Sequence, residues 1–196
     1  MARDFIEALS SSPVKISEAR RAEENGGIPD EPGLYAWWLA SPDALPAVPA
    51  PAHRTEPGLV LLYVGVAPKD ATSRERLRSR VLKRHVSSGL ADSTFRRSLA
   101  ALLWQEKGWT PLVTATGRFD FSPKDDAELR GWQERNLRLS WLEVDRPWES
   151  EPRAIDDLGP PFNLADNRDH PFYEEMKTAR AIFKAKAEAV SPELDE

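Results

Sequence analysis

Two tyrosines each stand two residues from a glycine within short apolar runs, Gly33-Leu34-Tyr35 in "GLYAWWL" and Tyr63-Val64-Gly65 in "LLYVGVAPKD". Taken alone, either could be a strand tyrosine with a buried ring and a wet hydroxyl. Other features give them company. From Lys69 to Arg97 the chain carries nine basic side chains against three acidic ones, although its formal net charge is -5. Such a local excess is either an electrostatic footprint or a solvated helix face. Glu151 falls in line with Trp148, Ile155 and Leu158, and a carboxylate on an apolar helical face needs a positive partner. The chain has no cysteine, and its histidines, His53, His85 and His170, are not paired at a ligand spacing. Thiol chemistry and cysteine-based zinc sites are thereby excluded, and any metal would be a hard ion on carboxylate oxygens.

The elements that must position these groups follow from periodicity and punctuation. With 196 residues, 40% hydrophobic and 30% charged, the chain reads as a single domain, 1–196, with an ordinary core. Residues 1–31 form an N-terminal extension with weak helical signals around Phe5 to Leu9 and Ser17 to Glu24. "GLYAWWL" and "LVLLYVGV" read as strands, and Trp37 and Trp38 must point to opposite faces. Between them, residues 40–58 are a Pro-rich insertion expected to run as an extended surface loop.

From Ser73, as N-cap, a helix is expected, with Leu77, Val81 and His85 in line and Arg76, Arg80 and Arg84 in a parallel row. Helices are expected from Ser93, from Ser122 with Pro123 at its first position, and between Pro147 and Gly159, where Glu151 lies. "PLVTATGRFDF" is an edge strand or irregular, "LRLSWLEV" is a strand, and residues 171–190 form an amphipathic C-terminal helix. No run approaches the ~20 apolar residues of a membrane span. The N-terminus lacks the apolar core of a secretory signal, so a cytoplasmic protein is the default expectation.

In order, the two tripeptides, the arginine-rich helix and Glu151, Ile155, Pro160 and Asn163 of "EPRAIDDLGPPFN" resemble the GIY-YIG nuclease superfamily, in particular the amino-terminal nuclease domain of the bacterial excision-repair endonuclease. The resemblance covers roughly residues 32–170. It implies an α+β sandwich: a small, mainly antiparallel three-stranded sheet flanked by helices. The implied activity is endonucleolytic hydrolysis of phosphodiester bonds, in DNA ahead of RNA, with one Mg²⁺ or Mn²⁺ ion. The resemblance makes Glu151 the metal ligand, Tyr35 the general base and Tyr63 its water- or phosphate-positioning partner. Arg80 would stabilise the phosphate, with Arg76 as rival, and His85 is a further catalytic candidate.

In the family a His or Tyr often stands one helical turn after the catalytic arginine. Here Arg84 occupies that α-helical spacing and His85 follows one residue later, which leaves the register open. Arg76, Lys83, Arg84, Arg96, Arg97 and Asn163 are the nucleic-acid-binding candidates, Asn163 reading also as a turn residue that ties the backbone near the site, and Gly33 and Gly65 shape the site. A homodimer or a targeting partner protein would supply specificity. The rival reading is a nucleic-acid-binding module of a repair or restriction complex with little catalysis.

Overall fold

The computed structural model describes residues 2–190. Its elements run α1 (Ala2–Leu9), β1 (Val14–Lys15), α2 (Ile16–Ala19), β2 (Gly33–Leu39), β3 (Val60–Ala67), a π-helix (Ser79–Ser87), α3 (Thr94–Lys107), β4 (Pro111–Val113), β5 (Phe119–Phe121), α4 (Pro123–Asn136), β6 (Leu137–Glu143), α5 (Glu151–Leu158) and α6 (Tyr173–Val190). The principal sheet is antiparallel throughout, in the order β1-β6-β2-β3. Three of its strands are those read from the sequence, and β1 adds an edge of two residues. β4 and β5 close a separate antiparallel hairpin, which resolves "PLVTATGRFDF".

All seven residues of β2 are buried, so its apolar run is continuous because the sheet is covered on both faces. On one face Tyr35, Trp37 and Leu39 join a core built with the π-helix, α3, α4 and α6. On the other, Leu34, Ala36 and Trp38 meet Ile6 and Leu9 of α1 and Ala154 and Ile155 of α5. Accordingly Trp37 stacks on Phe95 at 5.1 Å between centroids, while Trp38 Nε1 donates to Ser140 Oγ at 2.8 Å. A bulge interrupts the β2–β3 register after Trp37. It leaves Leu61 in the α1/α5 core but Leu62 and Tyr63 in the opposite one.

Three local expectations change. Ser73 caps no helix: it lies in a turn whose N–H groups are taken by Asp70 Oδ1, at 2.9 Å from Thr72 and 3.0 Å from Ser73. The helix begins at Leu77 and then widens to π geometry, closing with Ser88 N–H on Lys83 O, an i to i+5 bond of 2.6 Å. Pro147 opens only a 3₁₀ turn, Pro147–Glu149, so Glu151 is the first residue of α5 and not part of its middle. The insertion 40–58 is pinned at two points, for Leu45 and His53 are buried. His53 donates Nε2–H to Ser10 O at 2.6 Å and packs its ring on Trp38 at 4.6 Å.

Candidate active site

Antiparallel register places the two tyrosines together. Tyr35 lies opposite Gly65 and Trp37 opposite Tyr63, so Tyr35 and Tyr63 are diagonal neighbours on one face with ring centroids 6.3 Å apart. Gly65 is the gap that admits Tyr35: a Cβ there would overlap the Tyr35 hydroxyl and come within 2.8 Å of the Tyr63 ring. Gly33 is similarly constrained, by the Leu142 carbonyl and by Leu77 Cδ1 at 2.7 Å from where its Cβ would be. Both motif glycines make room for the protein's own atoms.

The Tyr35 hydroxyl sits between two groups from the π-helix. It is 2.6 Å from His85 Nε2 and accepts from Arg80 Nε–H at 3.4 Å. Arg80 and His85 are five residues apart, which is one turn of a π-helix, so both face Tyr35. In an α-helix Arg84 would have stood nearer that position. Here Arg84 is exposed and pairs with Glu75, whose other oxygen holds Arg80 Nη1 at 3.2 Å. The register is thus settled geometrically in favour of Arg80 and His85 as the residues touching Tyr35. Arg76 precedes the helix, half-buried, its backbone N–H donating to Ser79 Oγ at 3.1 Å.

Behind His85 lies a second layer. Its Nδ1 is 2.7 Å from Ser93 Oγ, the N-cap of α3, and its carbonyl accepts from Gln133 Nε2 at 2.9 Å. Arg96 belongs to this layer and not to a nucleic-acid surface. It has no exposed area, bonds Asp126 at 2.6 Å and Gln133 at 3.1 Å, and donates to the Ser88 carbonyl at the end of the π-helix. Its buried charge is partnered there and cannot reach a strand. Asn163 ties backbone, as one of its two readings has it, and is not placed to contact nucleic acid. It is buried, and both amide atoms serve the Val64 backbone of edge strand β3, receiving N–H at 3.0 Å and donating to C=O at 2.8 Å. Lys83 and Arg84 are exposed, and Arg97 is partly so on the face of α3 away from Arg96's network.

The electrostatics divide the site. Burial pushes the Tyr35 phenol well above its ordinary value, Tyr63 adds to this, and Arg80 only partly offsets it. Burial also lifts Tyr63 to about 12, although the residue keeps some exposed surface. Burial, then the charges of Arg80, Arg96 and Arg84, hold His85 well below 6.5. Tyr35 and His85 are therefore a neutral phenol–imidazole pair at neutral pH. Glu151 is raised to about 7 by burial first and by Asp166 second, with Arg80 pulling the other way.

Glu151 and Asp166 border a cavity of about 640 Å³ that Asp156 and Asp157 also line. Among the described residues no three His, Cys, Asp or Glu side chains converge as a closed metal cage. Arg153, paired with Asp157, is the one cation on this wall, and the remaining excess of carboxylate oxygens fits a hard divalent ion that keeps most of its water. Sequence reasoning missed Asp166, which lies in a turn beyond the end of α5 with no periodicity to align it with Glu151, and Glu75, which was hidden inside an arginine-rich run. Ser93 was legible only as a cap.

A comparison with protein families matches residues 33–182 to the GIY-YIG catalytic domain. That match spans well over half the chain, and the chain belongs to this family, whose catalytic domain is a nuclease acting on nucleic acid. Comparison with curated proteins and with solved structures gave no significant match. No helix among the described residues is long and apolar enough to cross a membrane.

Proposed function

We propose that this chain is a divalent-cation-dependent endonuclease that hydrolyses phosphodiester bonds in DNA in preference to RNA. The observation that carries the reading is the meeting of Tyr35, His85 and Arg80 at one hydroxyl, with Glu151 near enough to influence both tyrosines. Glu151, with Asp166 beside it, would hold Mg²⁺ or Mn²⁺. A bound ion supplies Lewis-acid neutralisation of phosphate charge. Arg80, held in place by Tyr35 and Glu75, presents the remaining face of its guanidinium to the phosphate.

Tyr63 keeps the water-positioning role expected of it, whereas Tyr35 gives up the role of general base. Tyr35 has no exposed surface and Tyr63 retains some, so Tyr63 is the phenol that meets the attacking water. With a value near 12 it orients that water by hydrogen bonding and does not deprotonate it at neutral pH. Tyr35 and His85 are positioning residues: they hold Arg80 and Tyr63 and exclude water from the strand face. Arg76, Lys83, Arg84 and Arg97 would steady neighbouring phosphates, contributing affinity with little sequence choice.

Supercoiled plasmid, single-stranded DNA and RNA, incubated with Mg²⁺ or Mn²⁺ and either wild type or Glu151→Ala, test the proposal. Cleavage of DNA by the wild type alone is the expected result. Equal cleavage by Glu151→Ala would place the chemistry elsewhere, and no cleavage of any substrate would favour the binding module.

A further inference from the structure

Arg96 and Arg97 are adjacent in sequence and opposite in circumstance. Arg96 has Asp126 as counter-ion, whereas no ion pair to Arg97 occurs among the described residues. Arg97 spends one N–H on Thr94 Oγ1 at 3.2 Å, and its Nε is buried without a hydrogen-bond partner. From α6, Arg180 reaches the same turn of α3, donating to Thr94 O at 3.1 Å and Ser98 Oγ at 2.5 Å, and its Nε is also buried and unpartnered. Two guanidinium groups from different helices thus share one short stretch of backbone without a carboxylate between them. Their mutual repulsion shows in Arg180, which is lowered to about 10 by burial and then by Arg97.

These arginines, with Lys184, Phe119 and Phe183, line a cavity of about 220 Å³. Lys184 lies over the Phe119 ring at 5.7 Å. A wall of three cations with no carboxylate among its lining residues, although Lys184 also pairs with Glu188 at 3.7 Å, and two aromatic side chains make a receptacle for an anion attached to a flat or apolar group. The pocket is also close to the catalytic face, since the Tyr63 ring packs against that of Phe95, the residue after Thr94, with centroids 5.6 Å apart.

We infer that the Arg97–Arg180–Lys184 pocket binds a phosphate of the nucleic-acid strand beyond the scissile one, with Phe119 and Phe183 supplying the apolar wall for its nucleoside. This rests on the nuclease reading for its strand, but not on catalysis by the site. It assigns Arg180 and Lys184, on the last helix, to substrate binding, and it gives the strand a direction, from Arg80 past Tyr63 toward α6.

The test is binding of a fluorescent single-stranded DNA in EDTA across a salt series, for wild type, Arg97→Gln, Lys184→Gln and Arg97→Lys. Arg20→Gln, a charge-matched change outside the pocket that breaks the pair with Glu134, serves as control. Each Gln variant in the pocket is expected to lower the slope of log affinity on log salt by about one, Arg97→Lys to restore it, and the control to leave it unchanged. Where the wild type cleaves, Arg97→Gln should raise KM and leave kcat alone.

Slopes and affinities unchanged in both pocket variants would overturn the inference even if the wild type cleaves DNA. A slope lost in the pocket variants of a protein that cleaves nothing would uphold it while the nuclease reading fell. Inorganic phosphate provides the remaining arm, read by Trp104, whose ring meets Phe183 at 6.4 Å. If phosphate alone changes that fluorescence through Arg97 while the oligonucleotide ignores Arg97→Gln, the pocket serves a free anion and the strand assignment is wrong.

Discussion

The two halves of the site are built on opposite plans. On the Tyr35 side, hydrogen bonds run from Arg80 through Tyr35 and His85 to Ser93, and Gln133 and Arg96 brace the end of the π-helix behind them. On the Glu151 side, a carboxylate stands at the start of α5 beside Asp166, raised to about 7 by burial and like charge. The first half is satisfied by the protein itself. The second is held in an unfavourable ionisation state that a cation would relieve. The difference separates what the fold preorganises from what it leaves for a ligand, and folding stability bears the cost of the second.

Stability measurements can break this contrast. The largest expected effect is on the braced half: Arg96→Ala leaves buried Asp126 with only Arg130 as counter-ion and takes a donor from Gln133 and from the Ser88 carbonyl, costing about 3–5 kcal/mol in denaturant unfolding. A loss below ~1 kcal/mol would mean that the brace is decorative. The opposite sign is expected across the site. Glu151 is raised in the folded state from 4.5 to about 7, so the folded protein holds this proton more tightly than the unfolded chain between those values. Its contribution is therefore lost as pH rises through that window. Glu151→Gln should stabilise the metal-free protein by about 2 kcal/mol at pH ~8, after discount for partial solvent screening, and hardly at all at pH ~4.

His85 sharpens the comparison at smaller magnitude, because its folded value is depressed below 6.5. Here the unfolded chain takes up the proton first, so stability is complete above about 6.5 and falls as pH drops below it, by roughly 1 kcal/mol per pH unit. The two slopes oppose each other, and the His85 slope is best read in the Glu151→Gln background, where His85→Gln should flatten it. The smallest effect belongs to Arg84→Ala. Its exposed pair with Glu75 should be worth under ~1 kcal/mol, with Arg80 keeping the other oxygen of Glu75.

Much of this arrangement was legible in the sequence, and the reasons for the exceptions are physical. Alternation in β2 foretold that Trp37 and Trp38 would enter separate cores, and Ser93 and Ser122 both cap the helices expected of them. The tripeptides, the basic helix and Glu151 pointed to the family that the full comparison supports. The π-helix was not legible. A row at Leu77, Val81 and His85 suits α geometry as well, and only contact with Tyr35 distinguishes an i+4 neighbour from an i+5 one.

Nor could composition separate Arg96 from Arg97. Their difference depends on Asp126 and Gln133, contributed by α4, thirty or more residues away. Asn163 carried the right spacing, but its partner is the free edge of β3, which exists only once the strand order is known. Gly65 does shape the site, but through the room it leaves for Tyr35, which only the strand register reveals.

Calorimetric titration of Mn²⁺ into wild type, Glu151→Gln and Tyr35→Phe at fixed pH tests the division most directly. The account predicts about one ion per chain in the wild type, its loss in Glu151→Gln, and its retention in Tyr35→Phe, because only the carboxylate half awaits a cation. Undiminished Mn²⁺ binding by Glu151→Gln, or its loss in Tyr35→Phe alone, would contradict that division.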